Sequence, residues 1–179
     1  MRTNLQLTRK ENVLLQLFSS IAKENGIVNL VENGEKLHYL LFLVTYCKFD
    51  NDGNVIGLIF PPRYDYDFII DMNIVTCSNL FNILRSLDEK NIIKCLDKNC
   101  TKVKIINKPN TDNINNILRI VLEKYVNKNT EEMQNIIAQL LGIDNEETFA
   151  ILYGANIRDL LEFVREMSKK LESEEIVDE

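Results

Sequence analysis

The 179-residue chain has no tryptophan, one histidine, three prolines and six glycines. So few glycines and prolines exclude a collagen-like or low-complexity chain. Long hydrophobic runs are missing too. The stretch Leu40 to Val44 falls far short of the roughly 18–20 apolar residues a membrane span needs. Met1 to Lys10 carries charges without an apolar core, so neither a secretory leader nor a membrane partner is expected. The four cysteines are Cys47, Cys77, Cys95 and Cys100, too few for a disulfide scaffold. Without a leader, the expected setting is the reducing cytoplasm, with free thiols and no disulfides. Only Cys95 and Cys100 are close in sequence, and His38 is the sole imidazole. A metal centre would lack ligands, and no cofactor is expected.

What is present is ordinary for a folded domain: 45% hydrophobic and 27% charged residues give enough apolar surface for a core. The length suits one domain, or one small domain with a helical appendage. The net charge is −6, but it is unevenly spread. Residues 1–130 hold 17 basic and 14 acidic side chains, whereas residues 131–179 hold 4 and 13. Such asymmetry suggests different partners for the two parts. The 22 asparagines, beside much isoleucine and lysine, read as a bias toward AT-rich codons.

Apolar periodicity sets out the elements. Thr8 and Glu11 fit a capping box before a stripe of Val13, Leu14, Leu17, Phe18 and Ile21. Asn25-Gly26 can stop that helix, and Gly26 to Val31 reads as a short extended segment. A helix apolar nearly all round is expected from about Glu35 to Cys47. The turn Asp50-Asn51-Asp52-Gly53 leads to a strand, Val55 to Phe60, and then a short helix from Asp65 to Asn73. Thr76 is the expected cap of a helix running to about Lys90, with Leu80, Ile83, Leu84 and Leu87 on one face. Ile92 to Leu96 and Thr101 to Ile106 read as a hairpin. After a break at Lys108-Pro109-Asn110, helices are expected at Thr111 to Asn127, Thr130 to Leu141, from Asp144 toward Tyr153, and from Ile157 to Leu171.

The order from residue 35 to 106 resembles the winged helix-turn-helix family. The residues that carry the resemblance are Leu37, Leu40 and Leu41, the Asp50–Gly53 turn, Thr76, the Leu80-Ile83-Leu84-Leu87 stripe, and the run Asp88-Glu89-Lys90-Asn91-Ile92-Ile93 entering the hairpin. That run looks like the end of a recognition helix entering a wing. The turn looks like those of plasmid and phage replication initiators. The expected fold class is mainly α with a small β-hairpin, a winged helix-turn-helix plus a helical C-terminal region. The expected divisions are 1–26, an N-terminal helix for dimerisation; 27–108, the winged helix; 109–171, the helical region; and 172–179, an acidic tail.

The resemblance implies sequence-specific binding of double-stranded DNA without catalysis, in transcription control or replication. Opposite the apolar stripe lie Ser78, Asn79, Asn82 and Arg85; Asn pairs bidentately with adenine and Arg with guanine. The hairpin supplies Lys94, Lys98, Lys102 and Lys104 to hold phosphates. Alternation puts Lys102 and Lys104 on one face, Val103 and Ile105 on the other. Asp65, Asp67 and Asp71 depart from the family pattern, since carboxylates there would repel phosphate. A homodimer is expected, joined through the 111–127 stripe or the N-terminal helix, with a protein partner for the acidic C-terminal helices. The alternative is a phage or plasmid adaptor or inhibitor that uses the scaffold without DNA. No nucleophile–base pair can be assembled and Gly53 and Gly57 are isolated, so no enzyme is expected. The Asp50–Gly53 turn lacks the closing Glu of a calcium loop, because Ile59 stands there.

Overall fold

A computed structural model describes residues 7–23, 25–107 and 115–175, with side chains to residue 172. The described residues are 53% helix, with small antiparallel sheets. The expected break at Lys108-Pro109-Asn110, the start of the helix expected from Thr111, and residues 176–179 of the acidic tail lie outside the described residues.

The helix α1 (Arg9–Ile21) opens on the expected capping box. The Glu11 amide donates to Thr8 Oγ1 at 3.2 Å, and Glu11 Oε2 accepts from the Thr8 amide at 2.8 Å. Gly26, at φ +73°, turns the chain into strand β1 (Ile27–Asn29). Helix α2 (Leu30–Tyr46) starts five residues earlier than the stripe suggested, because the Asn29 side chain caps it. Every residue from Tyr39 to Cys47 is buried. Helix α2 is therefore the axis of the core, and α1, β1 and later elements pack round it. Each such aliphatic or aromatic side chain taken fully from water contributes about 1.5–3 kcal/mol.

Strands β2 (Cys47–Phe49) and β3 (Val55–Leu58) form a hairpin across the Asp50–Asn54 turn. Gly53 takes φ +75° there, and a Cβ would stand 3.1 Å from Ile120. The segment expected as a helix from Asp65 to Asn73 is extended instead. Its short strand β4 (Phe68–Ile69) pairs with β5 (Thr76–Cys77). The reason is its period: Tyr66, Phe68 and Ile70 are buried in strict alternation with Asp65, Asp67 and Ile69, and alternation is the signature of a strand. Phe68 completes an aromatic cluster, with ring centroids 5.5 Å from Phe42 and 5.9 Å from Tyr46.

Thr76 is thus a strand residue, not a helix cap. Helix α3 (Leu80–Glu89) begins after Asn79, which makes no side-chain capping bond. Asn91, at φ +56°, ends the turn after it. Strands β6 (Ile93–Cys95) and β7 (Lys102–Ile105) then form the expected hairpin. Strand β1 joins β7 to give a three-stranded antiparallel sheet in the order β1-β7-β6. A disulfide links Cys95 and Cys100, whose Cα atoms are 4.7 Å apart, which corrects the expectation of no disulfides; Cys47 and Cys77 are free. The two residues flank the hairpin loop, and pairing alone brings them within bonding range.

Helices α4 (Asn116–Lys124), α5 (Thr130–Leu140), α6 (Glu146–Leu152) and α7 (Ile157–Glu175) follow. Asn115, Asn129 and Asn145 cap the first three, the last two lying one residue from the expected helix starts at Thr130 and Asp144. Helix α4 clamps the β2–β3 turn: Lys124 Nζ donates to the Asp52 carbonyl at 2.9 Å, and the Tyr125 hydroxyl to the Gly53 carbonyl at 3.0 Å. The apolar stripes of α1 and α4, both candidates for dimer contact, face the intramolecular core.

One buried charge ties α1 to α3. Glu11 is 3% exposed. Its carboxylate accepts from Lys90 Nζ at 2.6 and 2.7 Å and from Ser86 Oγ at 2.8 Å. Burial alone would raise its pKa, but the Lys90, Thr8 and Ser86 donors override this and hold it at about 2 against an ordinary 4.5. A depressed carboxyl stabilises the fold fully above pH 4.5 and loses that contribution as pH falls toward 2. Glu11→Gln is expected to cost about 3 kcal/mol at neutral pH. In chemical denaturation, the gap between wild type and variant should close between pH 4.5 and 2.

Candidate nucleic-acid interface

The outward face of the three-stranded sheet is basic because of its register. Val28 stands opposite Val103, and both are buried. Their neighbours Lys102 and Lys104 point outward, opposite Asn29 and Ile27 of β1. Lys94 of β6 stands directly opposite Lys104. Lys94, Lys102 and Lys104 are exposed, and none has an ion-pair partner among the described residues. Like charges directly across a ladder repel, so this face keeps an unneutralised positive potential.

Lys98 sits apart from those three, in the loop at the hairpin tip. Asp97 organises that loop, accepting from the amides of Asn99, Thr101 and Lys102 at 2.9–3.0 Å. Those donors, Thr101 foremost, hold its carboxyl below the usual range. Lys98 and Arg85 line one open depression of about 500 Å³ between α3 and the tip. Asp88, Glu89 and Asp97 line it too, so its charge is mixed.

On α3, Leu80, Ile83, Leu84 and Leu87 are buried, which turns Phe81, Asn82 and Arg85 outward. Asn82 has no side-chain partner among the described residues. The Arg85 guanidinium lies 4.7 Å from the centre of the exposed Phe81 ring, an arrangement worth about 0.5–1 kcal/mol at the surface. Ser78 and Asn79 are differently placed. Asn79 Nδ2 donates to Asp67 Oδ2 at 2.9 Å and its Oδ1 accepts from the Asp67 amide at 3.3 Å. Ser78 Oγ donates to the Asp67 carbonyl at 3.2 Å. Both pin the 65–67 segment against the start of α3.

The acidic residues flagged in the sequence are partly neutralised. Arg158 Nη2 of α7 lies 2.7 Å from Asp65 and 3.7 Å from Asp67, and Lys10 lies 3.9 Å from Asp65. The Arg158 bond, foremost, holds the Asp65 carboxyl below its ordinary range. Asp71 caps its own turn, accepting from the Asn73 amide at 3.0 Å.

His38 accepts from the Cys77 amide through Nδ1 at 3.1 Å, and burial lowers its pKa. Burial pushes the Cys77 thiol up to about 12 and the Cys47 thiol higher still, so neither is a thiolate near neutral pH. Among the described residues no group of three or more histidines, cysteines, aspartates or glutamates converges as a metal site. No helix among them is long and apolar enough to cross a membrane.

Sequence reasoning overlooked Ile27 and Asn29, because the pairing of β1 with β7 spans about 75 residues and leaves no local trace. Phe81 was readable, as the one aromatic residue on the polar side of the α3 stripe. Comparison with known protein-family models, with curated proteins and with solved structures found no match.

Proposed function

We propose that this chain is a non-catalytic, sequence-specific double-stranded DNA-binding protein of winged helix-turn-helix type, acting in replication initiation or transcription control. The observation that carries the reading is the outward trio Lys94, Lys102 and Lys104, left without carboxylate partners. Helix α3 feeding directly into the hairpin, and β1 paired with the hairpin's second strand, support the winged-helix resemblance. Helix α2 and α3 are here separated by the 47–79 segment with its two small sheets, which departs from a compact helix-turn-helix.

In this reading the lysines, with Lys98, hold phosphates, and Asn82 and Arg85 read base edges. Ser78 and Asn79 lose their base-reading role and position the start of α3. Anisotropy titration of AT-rich duplexes over a salt series tests it. A protein using these lysines should lose affinity steeply with salt, by roughly one log unit per log unit of salt for each phosphate contact. Lys102→Glu with Lys104→Glu should abolish binding while the fold persists. Salt-independent binding, or none, by the folded wild type defeats the proposal.

Lys94→Glu separates function from stability. It replaces a repulsive cross-strand pair with an attractive one, so it should raise stability by roughly 0.5 kcal/mol. It should also weaken DNA binding.

Dimerisation through α7 completes the proposal. Ile157, Leu160, Val164, Met167 and Leu171 repeat at alternating intervals of three and four, the spacing of a helix that pairs with another helix. Ile157 is buried, but Phe163, Val164, Met167 and Leu171 are exposed, Leu171 by 60%. Residues 157–172 hold four basic and four acidic side chains, so two copies would not repel. Sedimentation equilibrium should find a dimer, and Val164→Glu with Leu171→Glu a folded monomer with weaker binding to paired half-sites. A wild type that is monomeric yet captures a protein through this stripe would favour the adaptor reading.

A further inference from the structure

A second candidate site lies away from the hairpin, in a cavity of about 490 Å³ between α1, the Arg63-Tyr64 segment and the start of α4. Arg9, Asn12, Val13 and Gln16 line one wall from a single face of α1. Arg63, Tyr64, Asn115 and Leu118 line the other. Two arginines line this space, and among the described residues no acidic side chain does.

Arg63 is held rigidly. Its Nη1 donates to the Cys47 carbonyl at 2.6 Å and to that of Val44 at 3.4 Å, closing the end of α2. Neither Arg63 nor Arg9 has a carboxylate partner among the described residues. A half-buried guanidinium anchored along one edge presents its remaining N–H donors as a fixed fork, which matches a phosphate or carboxylate. Gln16 adds an unsatisfied group: it is 4% exposed and its Oε1 has no hydrogen-bond partner. Buried oxygens are rarely left so.

We infer that this cavity binds a small phosphate monoester. Two arginines with no lining acid among the described residues match a dianion better than a single carboxylate. Val13 and Leu118 offer an apolar wall to the organic part, and a ligand hydroxyl would satisfy Gln16. The inference stands independently of DNA binding.

Phenyl phosphate, inorganic phosphate and phenol are the probes, titrated into the full chain by calorimetry. Phenyl phosphate should bind saturably and more tightly than inorganic phosphate, and phenol should not bind. Arg9→Ala, on the exposed first turn of α1, should weaken phenyl phosphate roughly tenfold or more without lowering the Tm. Arg63→Lys should weaken it too, by losing the fork. No saturable binding by the folded wild type overturns the inference, as does binding that Arg9→Ala leaves unchanged. If duplex DNA binding falls with Arg9→Ala while phenyl phosphate neither binds nor competes, these arginines serve the nucleic-acid backbone and the cavity is not a ligand site.

Discussion

Helix α2 is the constraint on which the rest of the structure depends. From Tyr39 to Tyr46 it has no polar side to give to water, so it must be enclosed on every face. The chain supplies that enclosure from distant segments: α1, β1 and β7, β5, α4 and α5 all pack on it. The three-stranded sheet and helix α3 are therefore placed by a core they did not design for themselves. The inward residues Val28, Val103 and Ile93 face the core, and the lysines take the opposite side because a strand has only two.

Two charged contacts then lock the enclosure. Glu11 holds the first turn of α1 to the last turn of α3 through Lys90 and Ser86. Arg158 holds the first turn of α7 to Asp65 and Asp67. The contacts differ in weight. The carboxylate of Glu11 is almost wholly enclosed, so losing its partner would leave a buried charge. Arg158 and Asp65 are substantially exposed, and water screens their attraction to about 1 kcal/mol or less. The second contact still matters for the proposed interface, because it offsets the carboxylates that would repel a nucleic-acid backbone.

The electrostatic layout gives the molecule different faces. The sheet presents unpaired lysines, the depression between α3 and the hairpin tip mixes both signs, and the exposed stretch of α7 balances four charges of each. The proposed function assigns a polyanion to the basic face, which bears a repulsive cost in the ladder, and another helix to the exposed stripe of α7.

Much of this was legible locally. The capping box at Thr8 and Glu11, the turn at Gly53, the left-handed stop at Asn91 and the outward phase of Lys102 and Lys104 follow from short-range geometry that a few adjacent residues determine. The alternation of Tyr66, Phe68 and Ile70 was also legible, although Asp65 to Asn73 reads as a short helix. The tertiary structure alone decided the rest. Pairing of β1 with β7 set which residues share the lysine face. Packing started α3 only at Leu80 and turned Ser78 and Asn79, which precede it, toward Asp67. Enclosure of α2 used up the stripes of α1 and α4 and left that of α7 open. The hairpin brought Cys95 to Cys100. Periodicity tells which side of an element is apolar; only packing tells what covers it.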